Sequence, residues 1–312
     1  MSNKLLRAAA CSGAALTAIT AAVYEGVLNI NVNNFISSKI NVVDPAQTDA
    51  CANDYNVEAG NWWGGAEKRT EKLEYKNGSV IYAVVIPAEK DSGKWAIINH
   101  GYTSGPDGMS RYAMEYHKRG YNCLLPYLRG HGKDKNRYCS MGWYDKDYVV
   151  AWAQRIVTWD ENAQIVIHGE SMGAATTMLA TGEYLPANVK AAVEDCGYTT
   201  VMEQYEVTLK ANHIPPHPVL DMLNAYSHIA GKFDFNKTSP IEAVARSVTP
   251  TLFVHGEADN LIPISMMDEV YNACSAPKDK FTVPGAAHAS SSSVDPEYYW
   301  KKVDEFLVKF IK

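Results

Sequence analysis

Five residues, Gly169-Glu170-Ser171-Met172-Gly173, constrain this chain more than any other stretch. An apolar, β-branched run, Ile165-Val166-Ile167-His168, precedes them, and a small-residue run from Ala174 to Ala180 follows. A strand that turns through G-x-S-x-G straight into a helix is the nucleophile-elbow pattern. The spacing has a steric reason. A turn that tight holds its central residue in a strained conformation. The flanking positions then have room only for hydrogen, hence glycine at 169 and 173. The turn lifts the Ser171 hydroxyl out of the sheet at the N-terminus of the next helix, where free N–H groups and the helix dipole favour negative charge. Alone, the five-residue match would be a surface turn in most sequences. The strand before it and the helix after it give it meaning.

The rest of the chain alternates in the same way. Lys72 to Lys76 and Val80 to Ile86 flank Asn77-Gly78, a hairpin signal. Strands are expected at Trp95 to His100, Asn122 to Pro126, Ala163 to Ile167, Val189 to Glu194, Thr251 to His255 and Lys280 to Val283. Helices are expected near Met109 to Arg119, Tyr144 to Val157, Met172 to Glu183, Ser265 to Cys274 and Pro296 to Lys312. Strands alternating with helices of this length predict a mostly parallel sheet covered by helices on both faces, with the opening hairpin antiparallel at one edge. Residues 198–240 break the rhythm. They are apolar, rich in Tyr and Met and punctuated by Pro215, Pro216 and Pro218, and they read as a helical insertion over the sheet. Residues 31–70 read as a connector wrapping the domain of 71–312, with Trp62 and Trp63 as anchors in its surface rather than as a sugar-stacking pair.

The first thirty residues admit two readings. Lys4 and Arg7 precede a charge-free, alanine-rich stretch from Ala8 to Val23, as in a secretory signal or membrane anchor. The stretch is shorter than the ~20 residues of a spanning helix, and no A-x-A site closes it before Tyr24. Leu16, Ile19, Val23, Val27 and Ile30 recur at helical spacing, which instead suits an amphipathic helix lying on the domain. Membrane association through residues 4–28 follows from the first reading only. The net charge of −6, without a Lys/Arg stripe, lacks the footprint of a nucleic-acid binder. None of the six cysteines forms a C-x-x-C pair, so zinc and redox motifs have no support. Cys123 and Cys196 fall in or beside strand-like runs and read as small buried residues.

A serine hydroxyl needs a base, and the base an orienting acid. Two late loops offer them. The strand ending at His255 runs into Gly256-Glu257-Ala258-Asp259, and the strand ending at Val283 runs into Pro284-Gly285-Ala286-Ala287-His288. Both loops follow the carboxyl ends of their strands, where open α/β sheets bind ligands. Ser171, Asp259 and His288 thus come in the order Ser…Asp…His. Glu257 competes with Asp259, but the H-G-x-x-D spacing favours Asp259. His100, His168 and His255 end strands beside glycine and are expected to bond locally, Arg129 and His131 to tie loops together, and Glu170 to form a structural ion pair.

Together the elbow, the His100-Gly101-Tyr102 loop, the R-G-H-G loop (Arg129 to Gly132), the H-G-x-x-D loop (His255 to Asp259) and the terminal His loop resemble serine hydrolases of the α/β-hydrolase superfamily over residues ~70–312. Within it the chain looks most like bacterial, single-domain, esterase-like members with an N-terminal apolar segment. The resemblance implies Ser171 as nucleophile, Asp259 as acid, His288 as base, and the backbone N–H groups of Tyr102 and Met172 as the oxyanion hole. It implies neither a metal nor an organic cofactor. The expected activity is hydrolysis of a small-molecule carboxylic ester or thioester, its apolar or aromatic acyl size set by the insertion. Two alternatives stand beside it. An aminopeptidase-like enzyme would need a carboxylate for a free amine, with Glu203, Glu206 and Asp221 as candidates. A non-catalytic binding module on the same scaffold would be expected to lose a member of the Ser/Asp/His set, and all three are here. Oligomeric state is not legible in these residues.

Overall fold

The computed structural model describes residues 54–312 apart from 91, together with Ala21, Tyr24, Glu25, Leu28 and Asn29. Eight strands form one sheet: β1 (Arg69–Glu74), β2 (Val80–Ile86), β3 (Lys94–Asn99), β4 (Asn122–Pro126), β5 (Gln164–Glu170), β6 (Val189–Asp195), β7 (Thr251–Gly256) and β8 (Lys278–Val283). Their spatial order is β1-β2-β4-β3-β5-β6-β7-β8. β1 and β2 pair antiparallel, as do β2 and β4; every later pairing is parallel. This is the α/β-hydrolase fold.

Side-chain alternation splits the core into two layers. Ala96, Ile98, Val166 and Val193 pack on one face with Tyr112 and Tyr116 of α2 (Ser110–Lys118) and Tyr299, Trp300 and Phe306 of α10 (Pro296–Leu307). Ile97, Ile165 and Ile167 face the other way, against Tyr148, Val149 and Trp152 of α3 (Asp145–Trp159). The central strands are buried on both faces and read as continuous apolar runs for that reason. The connector carries a helix of its own, α1 (Asp54–Gly65), and Trp62 and Trp63 pack against the first layer as the expected anchors.

Following β5, α4 (Met172–Thr181) is buried along its whole length, which its small residues permit. The insertion after β6 contains α5 (Val201–Ala211), α6 (Pro216–Tyr226) and a π-helical turn at Ser227–Gly231. Its apolar side meets Met141, Met172, Tyr198 and Ile262 in a separate cluster above the sheet ends. Tyr24 and Leu28 are buried in the same cluster, and Glu25 pairs with Arg137 at 2.9 Å, so the helical turn at these residues packs on the domain. The apolar stretch from Ala8 to Val23 falls, except for Ala21, outside the described residues. Among the described residues no helix is long and apolar enough to cross a membrane.

Three helical features differ from the sequence expectation. The helix α7 (Pro240–Arg246) closes the insertion; Ser239 caps it by accepting from the Glu242 N–H, and the Ser-Pro-Ile-Glu run has the sequence pattern of a capping box with proline at its first turn. After α8 (Ile264–Ala273), the serine tract forms a short helix, α9 (Ser291–Val294). The last helix, α10, starts at Pro296 under an Asp295 cap as its sequence suggests, but ends at Leu307 rather than at the chain terminus.

Candidate active site

The elbow is built as its glycines require. Ser171 sits at φ 56°, ψ −119°, between β5 and α4. A Cβ on Gly169 would strike the Gly173 carbonyl, and one on Gly173 would strike the Asn99 carbonyl of β3. The Ser171 N–H donates to the Asp195 carbonyl at 2.8 Å, which pins the turn to the end of β6.

The structure brings the three sequence candidates together. Ser171 Oγ lies 2.8 Å from His288 Nε2, and His288 Nδ1 lies 2.8 Å from Asp259 Oδ2. Asp259 is fully buried and His288 nearly so. Asp259 Oδ1 accepts from the Leu261 and Ile262 N–H groups, both at 2.9 Å. Burial by itself would raise its carboxyl; hydrogen bonds from His255 and His288 outweigh that and hold it well below the usual carboxylate range. An ionised carboxylate only accepts, so His288 carries its proton on Nδ1 and offers Nε2 as an acceptor to the serine. Glu257, the competing acid, instead accepts from Thr282 Oγ1 at 2.6 Å.

Behind Asp259 lie two more buried titratable groups, His255 and Glu194. His255 Nε2 donates to the Ile262 carbonyl at 2.9 Å and stands 3.4 Å from Asp259 Oδ2. Burial opposes its protonation, but Asp259 and the Ile262 carbonyl raise its pKa above the ordinary value. Glu194, at the end of β6, accepts from the Gly197 N–H at 3.0 Å, and burial pushes its carboxyl up to about 8.

Two histidines tie the loops around the serine: His131, as its sequence context suggests, and His100, which reaches 28 residues along the chain rather than bonding locally. His131 Nε2 accepts from the Thr103 N–H at 3.2 Å while Nδ1 donates to the Arg129 carbonyl at 2.9 Å. His100 Nε2 accepts from the Leu128 N–H at 3.1 Å. Burial drives His100 down to about 3 and lowers His131 as well, so both rings are neutral and can accept. They hold the loop after β3 that carries Tyr102. Neither the Tyr102 nor the Met172 N–H is engaged by a turn or loop carbonyl among the described residues.

One positioning group was missed. Arg111 of α2 pairs with Glu170 of the elbow and donates to the Ala289 carbonyl, next to His288, at 3.0 Å. Tyr112 Oη also reaches Glu170, at 2.9 Å, and Asp195, at 3.0 Å. Arg111 thereby fastens the serine turn to the histidine loop. The expected ion pair of Glu170 is present, but its partner lies 59 residues upstream, and no local pattern names it.

Of metal-ligating groups, Cys196, Asp259 and His288 offer ligand atoms within 4.8 Å of one another. Burial pushes the Cys196 thiol well above its ordinary pKa. A cation there would have to displace the proton joining His288 to Asp259, so the two uses of these residues exclude each other.

Ser171 opens into a cavity of about 320 Å³ between the sheet and the insertion. Met141, Met172, Leu209, Val219, Leu223, Leu261 and Ile262 line it, with Tyr102, Tyr198, Gln204, Tyr205 and Thr208, and no charged residue contributes.

Residues 110–312, which include the elbow and both late loops, match the prolyl oligopeptidase family. The chain belongs to that family. A Bacillus subtilis relative, YqkD, is 29% identical over 226 residues, which span 70% of this chain and 73% of that protein. Among solved structures, the Pyrococcus furiosus esterase Pf2001 superposes with a TM-score of 0.65 at 20% identity, over 79% of this chain and 92% of that one. A puromycin-hydrolyzing peptidase of Mycobacterium tuberculosis superposes with a TM-score of 0.60 at 18% identity, over 79% of this chain and 39% of that one. At these identities the structural likeness speaks for the fold. Family and fold together make this member a serine hydrolase of the α/β-hydrolase superfamily.

Proposed function

We propose that the protein hydrolyses carboxylic esters, thioesters included, of small apolar or aromatic acyl groups through an acyl intermediate on Ser171. The unbroken relay from Ser171 Oγ through His288 to Asp259, at an uncharged apolar cavity, carries this reading. His288 Nε2 takes the hydroxyl proton as Ser171 Oγ attacks the acyl carbon. The Tyr102 and Met172 N–H groups stabilise the resulting oxyanion, a donor pair of which each member is typically worth ~10²–10³ in rate. Collapse breaks the ester bond, and His288 returns the proton to the departing alcohol or thiol. Water then attacks the acyl-serine by the same route, giving the acid and restoring the hydroxyl.

A peptidase acting on free amines receives less support from the cavity. Glu203 is bonded to Thr199 Oγ1, Glu206 pairs with Lys210 at 2.6 Å, and Asp221 pairs with His217 at 3.0 Å; none of the three lines the cavity. The experiment is turnover of short p-nitrophenyl esters, the matching thioesters and aminoacyl amides by wild type and Ser171→Ala. Ester hydrolysis lost in the folded variant is the expected result. Undiminished turnover in that variant, or amides preferred to esters, contradicts the proposal.

A further inference from the structure

The catalytic carboxylate is aimed by backbone, and that backbone is held from two sides. Asp259 Oδ1 accepts from the Leu261 and Ile262 N–H groups, both at 2.9 Å, while Oδ2 meets His288 Nδ1 at 2.8 Å. The Ile262 N–H and the Leu261 carbonyl belong to one peptide. It is trans, so the two groups point to opposite sides of the chain. On the side away from Asp259, the Leu261 carbonyl accepts from Gln204 Nε2 at 3.0 Å. A carbonyl needs a donor, which settles the orientation of the Gln204 amide. Gln204 belongs to α5 of the insertion and is buried. The next carbonyl, that of Ile262, accepts from His255 Nε2 at 2.9 Å, at the end of β7. The insertion and the sheet thus each hold one carbonyl of the short stretch whose N–H groups hold the acid.

A peptide moves as a plane. If the Leu261 carbonyl loses its donor and turns, the Ile262 N–H turns with it and Asp259 follows. The bonds also reinforce one another, because a carbonyl that accepts makes the N–H across its peptide a better donor, the more so away from water. Leu261, Ile262 and Gln204 line the cavity as well, so the wall facing the acyl group and the support of the acid are one stretch of chain. We propose that Gln204 is a positioning residue for the hydrolytic step: through the Leu261–Ile262 peptide, the insertion sets the aim of Asp259 on His288. The inference rests on the reading of Ser171 as nucleophile. It gives the insertion a part in the rate besides its part in shaping the cavity.

The test compares wild type, Gln204→Met and Leu209→Ala on p-nitrophenyl esters whose straight acyl chains run from two to eight carbons. Methionine keeps the length of glutamine and has no donor. Acylation and deacylation both pass through His288, so kcat reads its orientation whichever step limits. The expected result for Gln204→Met is a kcat lowered about tenfold, to the same extent at every chain length, with KM nearly unchanged. Leu209 lines the cavity from the same helix, but its side chain cannot hydrogen-bond. Leu209→Ala should instead change the ranking of chain lengths. Unchanged kcat in Gln204→Met, or a change confined to KM and to that ranking, overturns the proposal while leaving the hydrolase reading intact. Gln204→Asn, which withdraws the amide by one carbon, serves in its place if a melting curve shows the methionine variant unfolded. If the wild type turns over no ester, the hydrolase reading fails, and crystal structures of wild type and variant decide the inference. A separation of His288 Nδ1 from Asp259 Oδ2 that lengthens in the variant upholds it, and an unchanged separation overturns it.

Discussion

The two sides of Ser171 are built on opposite terms. On the sheet side, charged and polar groups are tied across long stretches of chain: Arg111 to Glu170, Asp259 to His288, and the neutral His100 and His131 to loops 28 residues away. On the insertion side no charge lines the wall, which apolar and aromatic side chains dominate. A preorganised set of charges needs fixed partners, because a displacement of about 1 Å can cost ~10² in rate. A selecting surface needs the reverse, a shaped apolar wall without fixed charge. Gln204 apart, rate should therefore respond to changes on the sheet side and substrate preference to changes on the insertion side.

Removing the nucleophile breaks the comparison most severely. Ser171→Ala should lower kcat on an activated ester on the order of 10⁴-fold or more with little effect on the melting temperature. Next comes Arg111→Met. It frees the histidine loop from the elbow and leaves Glu170 buried without its cation, a loss of about 3–5 kcal/mol in other buried pairs and of roughly 10–10²-fold in kcat through misplacement. The preference between acyl groups should hardly move. A double change of Arg111 and Glu170 to methionine should regain stability but not rate, as steady-state kinetics and thermal melting would show.

A smaller effect belongs to Glu194. Its carboxyl stays protonated in the folded protein up to about pH 8, whereas in the unfolded chain it ionises near ~4.3. The folded state therefore holds the extra proton across that window, and stability falls as pH rises through it. His255, whose pKa is also raised, acts in the same direction above its ordinary value. Glu194→Gln should flatten the fall in melting temperature between about pH 5 and 8. A wild-type protein whose melting temperature is constant there would remove Glu194 and His255 from the account. The smallest effect is expected from Glu206→Ala and Asp221→Asn, which carry exposed pairs on the insertion. Neither should change ester turnover or melting measurably, and a large rise in KM for an aminoacyl amide alone would reopen the peptidase reading.

The two sides also differ in how far their sequences disclose them. The elbow is legible because Gly169 and Gly173 are sterically forced, and Asp259 because it holds a fixed spacing from His255-Gly256 after a strand. His288 sits in an alanine-rich loop and is found only by its order in the chain. The parallel sheet follows from buried apolar strands alternating with helices, and α7 could have been found from Ser239 to Glu242, which spell a capping box. Arg111 is hidden because its partner, Glu170, lies 59 residues away in another element that only the fold brings beside α2. The cavity is hidden for a related reason. Which faces of α5 and α6 turn inward, and that Gln204 spends its amide on Leu261, depend on how the insertion packs over the strand ends. No local periodicity encodes that.

The claim on which both sides depend is that Ser171 is an activated nucleophile. A fluorophosphonate probe forms a stable adduct only with such a serine, and intact-mass and peptide analysis locates it. The account predicts one adduct per chain on Ser171 in the wild type, none in Ser171→Ala, and strongly slowed labelling in His288→Ala with each variant folded. A folded wild type that takes no label, or equal labelling of Ser171→Ala, would contradict it.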